Sequence, residues 1–318
     1  MIPINNAQVV SHYGYGAKID FYIVTTIPLI FSSFNFLGTL YIFYRTFSRW
    51  KYGHGNISLS FRFPFYIAIT DFLYSSFSLM EYSYVVSKKT EFVNNNEIIS
   101  WPYLTCEILG MFFSVVILLN ILLVGVISVV TWLRVVQERY LTLGKYDCKI
   151  WVPIIFVSLI IPLSSIKAYG PQNYSCGTRA GHNNVAMFVL VLIFATLATI
   201  VICYTHVMKV IRNVKEDNSS VTSSLTDIEK RTFKKILTYI LVFILQYIPI
   251  VIYDICKFLK IRYLVFDAII PGVLNFGGIG NVIQYLYNEG LSNNNNASST
   301  YRLQESSEGS QQSQRTIK

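Results

Sequence analysis

Charge is scarce in this chain of 318 residues: Asp, Glu, Lys and Arg together make up 14%, against 53% hydrophobic residues. A soluble domain of that size could not cover its exterior with so little charge, so the composition implies lipid as the main solvent. Cysteine is scarce as well. Cys106, Cys148, Cys176, Cys203 and Cys256 contain no CxxC pair, which argues against a disulfide scaffold or a zinc site. The four histidines, His12, His54, His182 and His206, are dispersed, and no metal centre is expected. HExxH, a Walker loop and a nucleophile elbow are all missing, so the chain reads as a non-enzyme that needs no cofactor. The net charge is +9, but Lys and Arg flank apolar runs instead of forming a basic face interleaved with aromatics, and nucleic acid is not an expected partner. Met1 to Lys18 has neither a basic n-region nor a small-residue cleavage site, so the first apolar run is read as a retained span.

What is present is a set of seven long apolar runs with short polar connectors between them. A hydrocarbon core roughly 30 Å thick needs about 20 apolar residues of helix, because every backbone N–H and C=O must be bonded within its own segment. The runs lie at about Ile19 to Tyr44, Phe63 to Ser87, Pro102 to Leu133, Ile150 to Ile166, Asn183 to Ile211, Ile236 to Lys257 and Leu264 to Tyr287. The expected fold is an all-α membrane protein, a seven-transmembrane helix bundle. Tyr and Phe, 23 and 22 of them, crowd the ends of the runs, where amphipathic rings favour the headgroup zone.

Orientation follows from the connectors. The first holds Arg45, Arg49, Lys51 and Arg62, the third Arg134, Arg139, Lys145 and Lys149, and the fifth Lys209, Arg212, Lys215, Lys230, Arg231, Lys234 and Lys235. Basic connectors stay in the cytoplasm, which puts the N-terminus outside and the C-terminus inside. Residues 1–18 then form a short extracellular segment, 19–287 the bundle, and 288–318 a disordered cytoplasmic tail rich in Asn, Ser, Gln and Glu. The outward side still carries Lys18, Lys88, Lys89, Lys167, Arg179, Lys257, Lys260 and Arg262, either as headgroup contacts or as a lip that attracts an anion.

A few residues within and beside the runs carry chemistry. Cys106 and Cys176 both fall on the oxidising side, where a bridge is expected, the alternative being two unlinked thiols. Asp71 lies near the middle of the second run, where a carboxylate costs roughly 2.5–3.5 kcal/mol, so it must face the interior and find partners. Asn35, Asn120 and Asn281 lie at comparable depth. The group forms either a static knot that fixes helix rotation or a polar switch that hydrates, holds a cation or changes protonation. Pro249 removes a backbone donor inside the sixth run and provides for a hinge. Gly277, Gly278 and Gly280 in the seventh run allow close packing or bending, with Asn281 and Tyr285 following on one face. Glu81, Glu107, Lys167, Arg179, His182, Asn183, Asn184, Asp254, Lys257 and Asp267 cluster at the outer helix ends, where a ligand pocket could form.

With the bundle, the Cys106–Cys176 pair and Pro249 in place, the chain resembles a G-protein-coupled receptor. Asp71 is similar to that family's second-helix acid, Cys106 to its third-helix cysteine, and Asn281-Val282-Ile283-Gln284-Tyr285 to its seventh-helix NPxxY motif, with Val in place of Pro. Glu138-Arg139-Tyr140 spells the rhodopsin-like tripeptide about two turns too far along; the expected place holds Val130-Thr131-Trp132. Trp132-Leu133, Tyr174-Ser175-Cys176, Leu225 to Phe243 and Tyr285-Leu286-Tyr287-Asn288-Glu289 resemble the cyclic-AMP-receptor-like and glucose-receptor-like branch.

The resemblance implies a plasma-membrane receptor for an extracellular small molecule. Its cytoplasmic partner would be a heterotrimeric G protein meeting Arg134, Arg139, Lys230, Arg231, Lys234 and Lys235, with kinase or arrestin-like regulators at the tail. The alternative is a seven-helix carrier or channel for a small solute, which would be expected to show internal repeats or several mid-membrane charges. A retinal protein would need a lysine in the last run, and Leu264 to Tyr287 has none.

Overall fold

The computed structural model of the chain describes residues 16–52, 59–95, 99–139, 147–171, 175–179, 183–217, 241–256 and 264–289. The elements in order are α1 (Ala17–Tyr52), α2 (Leu59–Ser87), α3 (Lys89–Asn95), α4 (Thr105–Val136), α5 (Cys148–Ser164), a 3-10 turn (Ile166–Ala168), β1 (Tyr169–Pro171), β2 (Cys176–Thr178), α6 (Asn183–Asp217), α7 (Leu241–Cys256) and α8 (Leu264–Glu289). Omitting short α3, they make a seven-helix transmembrane bundle. Among the described residues, four helices, α1, α4, α6 and α8, are long and apolar enough to cross a membrane by length and composition alone.

Helix α2 shows how a less apolar sequence joins them. Its polar residues Thr70, Asp71, Ser75, Ser78 and Glu81 are all buried and recur at three- and four-residue spacing, so one stripe of the helix faces its neighbours and keeps them out of lipid. The converse pattern marks α5, where Val152, Phe156, Ile160 and Leu163 are exposed along one face and meet hydrocarbon. Helix α4 is central, packing on α2, α5, α6 and both strands, while α1 lies between α2 and α8. Tyr74, Phe113, Ile121, Ile200, Phe243, Tyr247 and Leu274 fill the middle of the bundle from five helices.

Several boundaries differ from the sequence expectation. Arg45, Arg49 and Lys51 belong to the last turns of α1 instead of a connector, and Arg62 and Arg134 likewise lie within α2 and α4. The helices outrun the hydrocarbon, because intrahelical bonding remains favourable in the headgroup zone and long basic side chains reach water from there. The connector after α2 holds an unanticipated helix, α3, fastened by Lys88–Glu91 and by Lys89, which donates to the Tyr22 hydroxyl and sits 4.6 Å from its ring. The Glu91 carboxylate also raises the ammonium pKa of Lys88 above its ordinary value, through that exposed hydrogen bond.

Candidate functional site

Two polar assemblies stand out, one at mid-bundle and one at the end of the bundle that carries the disulfide. The first is centred on Asp71, which is 3% exposed. The Asn281 side-chain amide donates to Asp71 Oδ2 at 2.8 Å, and the Asn120 amide donates to Oδ1 at 3.3 Å and to the Thr70 hydroxyl at 2.9 Å. Tyr247, on α7, donates its hydroxyl to Asn120 Oδ1 at 3.1 Å. Asn35, fully buried on α1, donates to the Asp71 backbone carbonyl at 3.4 Å and to Asn275 Oδ1 at 3.3 Å. Asn275 in turn donates to the Ser78 hydroxyl and to the Pro271 carbonyl, and Ser78 is 2.8 Å from Ser32.

The structure therefore brings Asp71, Asn35, Asn120 and Asn281 into one network that touches α1, α2, α4, α7 and α8. A hydrogen bond to a charged group contributes about 1.5–3 kcal/mol, so two amide donors offset the cost of placing the Asp71 carboxylate at this depth. Among the described residues no Lys or Arg pairs with Asp71. Tyr285 lies on α8, but its side chain is outside the described residues.

Glycines make the network possible. A Cβ on Gly278 would lie 1.6 Å from Asn35 Oδ1, and one on Gly277 would lie 2.4 Å from the Gln246 amide, which donates to the Leu274 carbonyl at 3.1 Å. Each glycine is a notch in α8 that receives an amide from a neighbouring helix. Pro249 lies one turn beyond Gln246 in α7.

At the other assembly, Cys106 on α4 is bonded to Cys176 on β2, with a Cα–Cα distance of 5.1 Å. Strands β1 and β2 pair antiparallel with Gly170 opposite Gly177, forming a small hairpin over the helix ends. It lies tight on α4 because Gly110 leaves room: a Cβ there would be 3.2 Å from the Gly177 nitrogen. Glu81, 3% exposed on α2, accepts the Cys176 backbone N–H. Arg179 donates to Glu107 at 2.7 Å while its guanidinium lies over Gly170. Burial of Tyr169, on β1, pushes its phenol pKa upward. Lys167 is exposed beside it, Asp254 is half-buried on α7, and Tyr253 donates to Asp267 at 3.0 Å, joining α7 to α8.

The remaining sequence candidates fall elsewhere. His182, Lys257, Lys230, Arg231, Lys234 and Lys235 lie outside the described residues. Arg134 is in the last turn of α4, and Arg139 follows the helix, its N–H bonded to the Leu133 carbonyl. Glu138, with φ 51°, is likewise beyond the helix, so neither Glu138 nor Arg139 of the tripeptide lies on α4, and Tyr140 is outside the described residues. Sequence reasoning passed over Asn275, Gln246, Tyr247 and Asp147. Asn275 and Gln246 carried the same signal as Asn35, an amide within an apolar run; Asp147 carried none.

The fold has a solved counterpart. The chain aligns with a crystal structure of squid rhodopsin at a TM-score of 0.65, covering 85% of this chain and 82% of that one, with 13% sequence identity. No sequence-family model matches the chain, and no curated protein matches it.

Proposed function

We propose that this chain is a plasma-membrane receptor of the G-protein-coupled type, sensing an extracellular small molecule and activating a heterotrimeric G protein. In this reading the N-terminus and the disulfide end face outward, and the C-terminus and the Asp147 end face the cytoplasm. The observation that carries it is the Asp71 network. One buried aspartate joins hydrogen-bond partners from α4 and α8 at its carboxylate, α7 through Asn120, and α1 at its backbone carbonyl, so a shift of any of these helices must re-form bonds at the same residue. Coupling of that kind suits a protein with two arrangements, as a receptor requires. The rhodopsin-like architecture supports the same class. Helix α8 carries no lysine, so a Schiff-base chromophore has no anchor there.

A ligand would meet the hairpin and the helix ends beneath it. Glu81 and Glu107 hold the hairpin in this arrangement, while Lys167 stands at the rim and suits a phosphate or carboxylate. His182, Asp254, Lys257 and Arg179 complete the proposed contacts. Displacement of the hairpin would be felt by α2 through Glu81 and by α4 through the disulfide. Pro249 would let the cytoplasmic part of α7 swing, opening a cleft for the G protein beside Arg134, Arg139 and the segment holding Lys230, Arg231, Lys234 and Lys235. Kinase or arrestin-like regulators would act on the tail. The proposed branch is the cyclic-AMP-receptor-like and glucose-receptor-like one, supported by Trp132-Leu133, Tyr174-Ser175-Cys176 and the residues that follow Asn281.

The test is a screen of small-molecule cues against membranes carrying the protein, read as nucleotide exchange on a panel of Gα subunits. At least one cue should accelerate exchange. If none does, while radiolabelled solute accumulates in vesicles containing the protein, the chain is a carrier.

A further inference from the structure

At the end of the bundle opposite the disulfide, one carboxylate is used in an unusual way. Asp147 stands at the N-cap of α5, where an Asp side chain ordinarily accepts the N–H of the second or third helical residue. Its carboxylate makes no such bond. The backbone instead takes the left-handed conformation, φ 53° and ψ 31°, and the carboxylate reaches across to α2, a separation of 85 residues along the chain. There Oδ1 and Oδ2 both accept from Arg62 Nη1, at 3.2 and 3.3 Å, and Oδ2 also accepts from the hydroxyl of Tyr66. The Tyr66 ring packs edge-on against Trp151 in the first turn of α5, at 5.2 Å between centroids.

Two features bear on what this contact could do. The Asp147 side chain is 2% exposed but that of Arg62 is 38% exposed, so water and salt reach one partner of the pair. The carboxylate also has a second set of donors within its own chain, the first-turn N–H groups of α5 that an N-cap Asp serves. We propose that Asp147 is a two-position latch: bonded to Arg62 and Tyr66 it pins the first turn of α5 against α2, and released it caps α5 and frees that end of the helix from α2. The latch stands at the end of the bundle that the proposed function turns toward the G protein, and only that consequence rests on the receptor reading. Arg62, Tyr66 and Asp147 were not joined by any local pattern, since the pairing is visible only once α2 and α5 lie together.

Hydrogen–deuterium exchange on the full-length protein in lipid nanodiscs tests the latch without any G protein. In Arg62→Gln, and more fully in Arg62→Gln/Tyr66→Phe, Asp147 turns to its capping position, and the amides of Lys149 and Ile150 exchange more slowly than in the unmodified protein. Asp147→Ala can neither latch nor cap, so the same amides exchange about fivefold faster than in Arg62→Gln, the factor expected for a side-chain cap. A pair that merely holds the two elements together would make exchange faster in every variant. Faster exchange in Arg62→Gln, or equal exchange in Arg62→Gln and Asp147→Ala, overturns the latch. Unchanged exchange in the α4 amides serves as the check that each variant is folded. If exchange behaves as expected but Asp147→Ala leaves basal nucleotide exchange unaltered on every Gα tested, the latch stands and the receptor reading fails.

Discussion

Gly278→Ala probes the notch in α8 that receives the Asn35 amide. The new methyl would lie 1.6 Å from Asn35 Oδ1 and 2.7 Å from Cγ, less than half and about two-thirds of the distances that such atoms tolerate. Asn35 is fully buried and held by Asn275 and the Asp71 carbonyl, so it has no open space to rotate into. Helix α8 must therefore move away from α1. Overpacking of this kind costs about 1–3 kcal/mol. Loss of the weakened Asn35 bonds adds about 0.5–1.5 kcal/mol. The sum is a loss of roughly 2–4 kcal/mol, equivalent to several degrees in the unfolding midpoint. Thermal unfolding in detergent, followed by reaction of the buried Cys203 thiol with a fluorogenic maleimide, reads it. The partner variant Asn35→Ala removes the clashing atoms, so Gly278→Ala made in that background should cost less than about 1 kcal/mol, a coupling of at least 1 kcal/mol. A Gly278→Ala protein as stable as the original, or additive effects in the double variant, would refute the packing.

Asp71→Asn keeps the shape of the central group and should alter signalling more than surface expression; equal loss of both would make the residue structural only. Cys176→Ser should expose Cys106 to a membrane-impermeant thiol reagent, and unchanged labelling would reject the bridge. Glu81→Leu leaves the Cys176 N–H buried without its acceptor, at about 1–3 kcal/mol, while the disulfide stays intact. Its expected signature is faster hydrogen exchange at Cys176, and slow exchange there would show that the carboxylate does not hold the hairpin.

The spans were legible because the bilayer imposes one length and one polarity on every crossing segment, so apolar runs of that length admit few other readings. Asp71, Asn35, Asn120 and Asn281 were legible for the complementary reason: an amide or acid in such a run must be satisfied inside the bundle. Their partners were not. Which donor faces which Asp71 oxygen depends on helix rotation, and Asn275 and Tyr247 enter the network only because α7 and α8 present those faces. The ends of the helices were also hidden, since Arg45 or Arg62 is as compatible with an extended helix as with a connector. Asp147 shows the limit most clearly: nothing in Lys145-Tyr146-Asp147 distinguishes a partner of Arg62 from a solvated turn.

The assignments of ligand side and of cytoplasmic partner both depend on an odd number of crossings with the N-terminus outside. Epitope tags at the two ends, probed with antibody on intact and permeabilised cells, measure this directly. The account predicts an N-terminal tag labelled on intact cells and a C-terminal tag labelled only after permeabilisation; both tags on one side, or the reverse order, would contradict it.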